Sequence, residues 1–528
     1  MKKIIPLLAC SLAFALHAAE PPALWVYYST NLLVDKNVET LEARMKEAAA
    51  AGYSAFTITD SKFGKLGEMD KRYFDNIAKV KRIAAENNIE IIPMLYPVGW
   101  SESVLWHDPN LAEGIPVRDA PFVVRGNVAV LDTDPIPLNR WNWVDETMTP
   151  IENGFRCTDP NGKNARFNKR IKVKPFRQYH VSVDIRTENF RGTPEVKPLT
   201  TNQPMQMLNH ADLQVKPTQE WKTHHIIFNS FDNAELILYF GVWDGKTGTI
   251  EWRNPKIEET AFVNLLRRDG APLVVTDANG KPLTEGRDFE PLTDPLSGTV
   301  PWKGSFDLYH EPPKLRTKNL PDGTRLNVSF YHPLICSGGS VMICISDPKT
   351  DEILRDHARR VHAAWGAKRY FMMHDEIRAL NWDKSCTDRN LTSGEILADN
   401  IAKCAKWIRE VAPGAEIYVW GDMFDPHHNA HKDYYFVRGD LAGSWKGLDK
   451  DIIAVPWAVE FADKSAAWFS GLGMRMVLAG YYDSPPARSL PWVEVAKKYP
   501  SIQAIMYTTW EDNFRDMKAF AETIRGAF

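Results

Sequence analysis

The chain has 528 residues, a net charge of −3, 44% hydrophobic residues and 25% charged residues. This length exceeds that of a typical single domain, so we expect two or three domains. The composition is that of a globular protein, and no basic cluster of the kind that binds nucleic acid is apparent, so we predict no nucleic-acid partner.

The chain begins MKKIIPLLACSLAFALHAAE. Two lysines, a short apolar run and a small-residue site predict a signal peptide over 1–19 and a protein exported to the periplasm or cell exterior. Lipoprotein processing at Cys10 is the alternative, although it leaves a very short apolar run. No later segment has the apolar length of a membrane span, so none is predicted.

The segment 20–124 alternates strands and helices. Leu24–Ser29, Ser54–Asp60 and Ile89–Trp100 are predicted strands, and apolar residues at helical spacing fill the two intervals between them. This alternation is typical of parallel βα units, so we predict the first part of a catalytic (β/α)8 barrel here.

The segment 125–313 contains short strands and no predicted helix of useful length. His180–Thr187 alternates inward Val and Ile residues, and Asp244–Gly248 has the composition of a hairpin turn. We predict an inserted all-β sandwich. The run YHVSVDIRT and the run LYFGVWDGKTGTIEWRNPKIEE resemble the jelly-roll carbohydrate-binding modules of families 4 and 22. This resemblance implies sugar binding, and a structural spacer or a lid over the barrel are the alternatives.

The strand and helix alternation resumes in 314–528, the predicted second part of the barrel. Its candidate strands are Arg325–Pro333, Arg369–Glu376, Ala415–Asp422, Asp451–Glu460, Met474–Asp483 and Ile502–Asp512. With the first three they make nine, one more than a (β/α)8 barrel needs, so one is extra or split. The fold class predicted is therefore α/β, a barrel interrupted by a sandwich.

Active sites of such barrels lie at the carboxyl ends of the strands. Almost every predicted strand of the second part ends in an acid, a histidine or an aromatic residue, which predicts a pocket suited to a sugar. The candidate site residues are Asp60, His374, Asp375, Glu376, Trp420, Asp422, Trp457, Tyr482, Trp510 and Glu511.

Asp375 and Glu376 are adjacent at the end of one predicted strand. Neighbouring carboxylates repel, which raises the pKa of one of them and makes it a proton donor near neutral pH. The other remains charged and can orient a substrate or stabilise a cationic centre. The alternative interpretation is a surface pair neutralised by Arg378 or Arg369.

A signal peptide, a barrel and a strand-terminal Asp-Glu pair resemble glycoside hydrolase family 20. This resemblance implies that Asp375 orients the 2-acetamido group of the substrate, which attacks the anomeric carbon, and that Glu376 is the general acid/base. It also implies an acetamido pocket walled by tryptophans, a hydroxyl from Tyr482 and a sugar-binding role for Glu511. The tryptophans similar to those of the family are Trp420, Trp457 and Trp510.

The segments NLAEGIPVRDAPFVV, HDEIRALNWD, VWGDMFDPHHNAH, AGYYD and MYTTWED resemble exported bacterial proteins placed near family 20. Two departures from the family concern the sugar that is bound. Met372, Met373 and His374 replace the glycines that usually precede the pair, and the first strand lacks the arginine that grips the sugar.

The segment VWGDMFDPHHNAH carries two aspartates and three histidines. A divalent metal is one interpretation, but the spacing matches no known helix motif, and we favour substrate contact or loop structure. We therefore predict no metal. No glycine-rich phosphate loop is apparent, and no cofactor is predicted. Cys157, Cys336, Cys344, Cys386 and Cys404 are predicted to be small buried residues without a zinc motif.

These patterns predict an exported exo-glycosidase, and the resemblance to family 20 implies that it hydrolyses terminal N-acetylhexosamine residues of a glycan or oligosaccharide by substrate-assisted retaining catalysis. One alternative is hydrolysis of another terminal sugar, sialic acid included, with Glu376 paired to Asp422, Glu460 or Glu511. The other is a glycan-binding protein without catalysis. The sequence carries no prediction of oligomeric state.

Overall fold

The computed structural model describes residues 21–528. The predicted signal peptide and Cys10 lie outside the described residues, so export stays a prediction. Among the helices that the structure describes, none is both long and apolar enough to cross a membrane.

Eight parallel strands close into a barrel, and their order around the barrel follows their order in the chain. The strands are β1 Ala23–Ser29, β2 Tyr53–Thr59, β3 Glu90–Leu95, β4 Arg369–Met372, β5 Glu416–Trp420, β6 Ile452–Val455, β7 Met476–Tyr481 and β8 Ile502–Thr508. The predicted parallel barrel is thereby confirmed.

A helix of nine or more residues precedes every strand from β2 to β8 except β6, and another follows β8. In chain order these helices are Asp35–Ala50, Lys71–Glu86, Pro348–Trp365, Ser393–Val411, Ala462–Gly471, Leu490–Lys498 and Met517–Ala527. Two single-turn helices, Glu102–Leu105 and Lys384–Thr387, lie in loops. Between β5 and β6 the described chain forms 3-10 turns and the short strand Phe436–Val437, which pairs with Ala379–Leu380, but no α-helix, so the alternation is incomplete there.

The barrel strands are buried on both faces, as strands between a packed interior and an outer layer of helices must be. The interior is filled by large side chains that include Trp25, Phe371, Tyr418 and Trp420. Because these aromatic side chains fill the barrel, only its carboxyl-end mouth has room for a ligand.

Nine candidate strands were predicted for eight places in the barrel, and Arg325–Pro333 is the extra one. The strand lies in a separate antiparallel sheet, where it pairs with Val274–Asp277 on one side and Ile115–Arg125 on the other. Val128–Leu131 and Leu315–Arg316 complete this sheet. The predicted second barrel segment, 314–528, thus begins with strands of this sheet, and β4 is its first barrel strand.

Two further antiparallel sheets lie between Trp143 and Thr260, as the predicted all-β insertion requires. One contains Thr149–Ile151, Gly154–Thr158, Gln178–Arg191, Gln219–Asn229 and Thr247–Thr260, and the other contains Trp143–Val144, Lys163–Lys172, Pro194–Thr200 and Glu235–Gly245. The rings of Phe167 and Trp252 meet between the sheets, 6.3 Å apart. Val181, Val183 and Ile185 are buried as predicted.

The insertion contacts the loops at the barrel mouth. Its His210 ring lies 4.5 Å from the ring of Tyr435, and its Phe231 ring stacks on Phe436 at 5.6 Å. Tyr435 in turn lies under the guanidinium of Arg378, 5.4 Å from the ring centre. The inserted sheets therefore support one wall of the mouth.

Candidate functional site

The backbone turns sharply where β4 ends. His374 and Glu376 have φ angles of 41° and 49°, in the left-handed region that non-glycine residues rarely adopt. A turn of this kind lets two consecutive side chains face the same side, which a regular strand forbids. The loop after β3 packs closely here, since a Cβ on Gly99 would lie 1.9 Å from the carbonyl oxygen of Asp375.

A cavity of about 440 Å³ opens at this mouth. Its lining consists of two acids, one methionine and five aromatic residues: Asp375, Glu376, Met373, Tyr27, Trp100, Trp420, Trp457 and Trp510. Trp420 is buried, whereas Trp510 is 55% exposed and forms the rim. The volume lies near the lower end of about 300–1,000 Å³ for small-molecule sites.

A second, smaller cavity of about 260 Å³ adjoins the first and shares Tyr27, Trp100 and Met373 with it. Ser29, Thr59, Ser340 and other polar residues line it. The two cavities together give the mouth one aromatic and acidic compartment and one polar compartment.

Asp375 is the acid whose ionisation is suppressed. Burial raises its pKa well above the ordinary value, the nearby Asp422 carboxylate raises it further, and Glu376 is the third cause. The Oδ1 atom of Asp375 is buried and has no hydrogen-bond partner within the described chain. From the sequence we attributed the raised pKa to repulsion by the adjacent acid. In the structure, burial and Asp422, which follows another strand, raise the pKa of Asp375 more than Glu376 does.

Glu376 has a different environment. Its Oε2 atom lies 2.6 Å from Nη2 of Arg378 and accepts a hydrogen bond of 3.1 Å from the indole nitrogen of Trp100. Arg378 is 5% exposed and also donates to the hydroxyl of Ser340 at 2.9 Å. The ion pair with Arg378, which the sequence analysis considered as a surface pair, thus involves an acid that lines the cavity and an arginine buried behind it.

Asp422 was predicted to bind substrate, but it lies behind the acid pair and is fully buried. Its Oδ2 atom accepts the backbone N–H of Glu376 at 3.0 Å and the side-chain amide of Asn429 at 2.9 Å. Its Oδ1 atom has no partner among the described residues. The carboxylate therefore holds the turn of the acid pair and acts on Asp375 through its charge.

Three of the predicted aromatic residues, Trp420, Trp457 and Trp510, line the cavity together. Tyr482 lies beside them, with its ring centre 6.1 Å from those of both Trp457 and Trp510. Its hydroxyl is buried without a partner among the described residues, and burial followed by Asp422 and Glu460 raises its pKa.

Besides Asp422 and Tyr482, three other predicted site residues are absent from the lining of this cavity. His374 is buried beneath it, where its Nε2 atom bonds to Asn400 at 3.0 Å and burial lowers its pKa to about 4. Asp60 borders the smaller cavity, but its carboxylate accepts bonds from Leu32, Lys62 and Tyr73. Glu511 is exposed on the rim loop.

The acidic and histidine-rich segment after β5 does not converge on one point. Asp425 is buried and accepts the backbone N–H of His427 at 2.8 Å. The His428 ring packs edge-on against Trp457 at 4.3 Å, and His431 bonds to the carbonyl of Lys432. These contacts support the predicted loop structure.

Two residues of the mouth, Tyr27 from β1 and Met373 after β4, were not identified from the sequence. Trp100 after β3 and Asp483 after β7 are strand-end residues of the kind that the sequence predicts for the mouth. Asp483 accepts the backbone N–H of Trp510 at 2.8 Å and so fixes the rim. The same criterion of polar or aromatic residues at strand ends covers Trp100 and Asp483, but nothing local distinguishes Tyr27 from an ordinary core tyrosine.

Replacing Asp375 with Asn is expected to stabilise the protein at neutral pH. The folded-state pKa of Asp375 is raised, so stability is fully present below the unfolded pKa of about 3.9 and is lost as the pH rises toward the folded value. The amide of the asparagine variant does not ionise, so the variant does not lose this stability as the pH rises. The melting temperature of Asp375→Asn should therefore exceed that of the unsubstituted chain by a margin that grows with pH, and a margin independent of pH would contradict this.

The fold and the mouth define a parallel α/β-barrel protein with an acidic, tryptophan-lined cavity for a small ligand. No protein-family model matches the chain, and no curated protein matches it.

Solved structures do resemble it. A β-N-acetylhexosaminidase from Bacteroides fragilis is 9% identical with a TM-score of 0.40, over 95% of this chain and 65% of that one. A glycoside hydrolase family 20 β-N-acetylglucosaminidase is 10% identical with a TM-score of 0.39, over 96% and 70%. A family 4 carbohydrate-binding module covers 23% of this chain and 77% of its own, at 16% identity and a TM-score of 0.18. This chain thus spans less than two thirds of the Bacteroides enzyme.

Proposed function

We propose that the protein is a glycosidase that removes a terminal N-acetylhexosamine from a glycan by substrate-assisted retaining catalysis. The observation that carries this proposal is the convergence of Asp375 and Glu376 on one cavity walled by tryptophans. Flat aromatic faces suit the apolar C–H faces of a sugar ring, and the acids supply the charges that glycosidic cleavage needs.

The positions of the other acids support a route without an enzyme nucleophile. Glu460 borders a neighbouring cavity behind Trp457, and Glu511 is exposed on the rim. Asp422 is fully buried and holds the backbone of Glu376. None of the three is among the residues that line the main cavity, so an attacking acetamido group of the substrate fits the described residues better than a second enzyme carboxylate.

The charges favour roles opposite to those that the resemblance implies. In this proposal the protonated Asp375 gives its proton to the glycosidic oxygen while the acetamido oxygen attacks the anomeric carbon and the bond to the leaving group breaks. Glu376, ion-paired with Arg378, accepts the acetamido N–H and stabilises the cationic ring. Water then opens this ring intermediate and returns its proton to Asp375.

The direct test is hydrolysis of aryl β-N-acetylhexosaminides by the purified chain, compared with aryl hexosides that lack the acetamido group. We expect turnover of the first substrates only, together with inhibition by a thiazoline that mimics the ring intermediate. Equal turnover of both substrates would favour the alternative of another terminal sugar. Glycan binding without any turnover would favour the non-catalytic alternative.

A further inference from the structure

A second cluster of reactive side chains lies away from the cavity. Glu113 precedes the strand Ile115–Arg125, Cys344 precedes the helix Pro348–Trp365, and Asp383 and Cys386 belong to the loop that follows Arg378. Each of the four side chains is at most 1% exposed. One atom from each lies within 4.8 Å of those from the other three. The mechanism proposed above uses none of them.

Three of the six distances between these atoms match the edges of a tetrahedral metal site, and the other three are at most 4.8 Å. The two sulfurs are 3.7 Å apart, Cys344 Sγ lies 3.4 Å from Asp383 Oδ1, and Cys386 Sγ lies 3.5 Å from Glu113 Oε2. Tetrahedral zinc has Zn–S bonds of about 2.3 Å and Zn–O bonds of about 2.0–2.2 Å, which give S–S edges of about 3.8 Å and S–O edges of about 3.5 Å.

Each carboxylate is held through its other oxygen. Oε1 of Glu113 accepts the backbone N–H of Trp382 at 2.7 Å, which leaves Oε2 toward the sulfurs. Oδ2 of Asp383 is paired with Arg268 and accepts the backbone N–H of Gly114 at 3.3 Å. Its Oδ1 atom accepts the backbone N–H of Cys386 at 3.2 Å and also faces Cys344 Sγ, so one of its lone pairs remains for a metal. Such outer contacts are what orient the ligands of metal sites.

The charge of the cluster also favours a cation. Two buried carboxylates face Arg268, which is shared with Asp347 at 3.2 Å. A disulfide between the cysteines would leave these carboxylates as they are, whereas a divalent cation would offset their charge.

We propose that Glu113, Cys344, Asp383 and Cys386 bind one Zn²⁺ ion in a closed structural site. Binding displaces the two thiol protons and leaves two thiolates and two carboxylates around the metal. The ion joins three segments that are far apart in the sequence, one of which carries Arg378, the partner of Glu376. The mixed donor set is expected to select zinc over calcium and magnesium, which prefer oxygen ligands alone.

The experiment measures zinc in the full chain purified from zinc-supplemented cells, and the spectrum after cobalt replaces zinc. We expect one zinc per chain and a thiolate-to-cobalt charge-transfer band. Cys344→Ser and Cys386→Ser should each lose most of the zinc. Cys157 is a buried cysteine of the inserted sheets and provides the control: Cys157→Ser should retain the zinc. A chelator should lower the melting temperature of the unsubstituted chain and of Cys157→Ser equally.

Three results would overturn the proposal: no stoichiometric zinc in a chain whose thiols are intact, a cobalt spectrum without the thiolate band, or a disulfide between Cys344 and Cys386 in non-reduced peptides. The cobalt spectrum is recorded on the unsubstituted chain, so it decides the matter even where a serine variant does not fold. Metal content and spectrum are both independent of glycosidase activity.

Discussion

Asp375→Asn is expected to lower kcat on a β-N-acetylhexosaminide with a poor leaving group by about 10²–10⁴-fold, the usual contribution of a general acid. The amide fills the same space but has no acidic proton for the glycosidic oxygen. With a dinitrophenyl leaving group, which departs without protonation, the loss should be far smaller. The measurement is the ratio of the two losses, taken from kcat on both substrates.

A surface variant provides the control for this experiment. Asp463→Asn removes an exposed carboxylate that pairs with Lys498 at 2.7 Å on the outside of the barrel, and it should leave both rates unchanged. If Asp375→Asn lowers kcat equally on both substrates, Asp375 does not donate the proton. That result would return the residue to the orienting role implied by the resemblance to family 20.

The pH dependence follows from the same assignment. A proton donor must be protonated, and burial, Asp422 and Glu376 together keep the proton on Asp375 well above its ordinary range. Asp422 lies just after β5, whereas the acid pair lies just after β4. The raised pKa therefore depends on the closed barrel, and it would be absent in an isolated loop of the same sequence.

The barrel could be predicted because its strands have an unmistakable pattern. Strands such as Ile452–Val455 are continuously apolar, since both of their faces are covered. Arg325–His332 was counted among the nine candidates even though it alternates, with Leu326, Val328 and Phe330 buried and the residues between them only partly so. That alternation is typical of an antiparallel strand with one open face, and it separates this strand from the barrel.

The candidate site was predicted less completely than the fold. Position at a strand end identified Asp375 and the tryptophans of the cavity, because barrel topology brings the strand ends together. It also selected His374, whose side chain points away into the core beside Asn400. Pairing with Arg378 was considered only for a surface pair. That this pairing occurs beside the cavity could not be deduced, since the left-handed turn at Glu376 decides which way both side chains point.

The proposed zinc site is a second feature that could not be predicted from the sequence. Zinc motifs in sequences depend on ligands that are close together, such as pairs of cysteines two residues apart. Here only Asp383 and Cys386 are neighbours, and Glu113 and Cys344 come from distant segments. Cys344 and Cys386 are buried, as was predicted for the cysteines, but burial alone gives no indication of the carboxylates that face them.

Glu376→Gln is expected to lower kcat by about 10²–10³-fold on good and poor leaving groups alike, the usual cost of losing one preorganised electrostatic contact. The amide can still accept the indole N–H of Trp100, but it has no negative charge for the acetamido N–H or the cationic ring. The loss should therefore be independent of the leaving group, unlike that of Asp375→Asn. Brønsted plots of kcat against leaving-group pKa measure this difference.

The substitution also leaves Arg378 buried without its anionic partner, so part of the loss could come from a displaced loop. Arg378→Gln combined with Glu376→Gln removes both charges and restores neutrality. If the carboxylate itself acts on the substrate, the double variant regains stability, measured as melting temperature, but not kcat. Recovery of kcat in the double variant would deny the Glu376 carboxylate any direct role. A loss in Glu376→Gln that is confined to poor leaving groups would instead assign proton donation to Glu376.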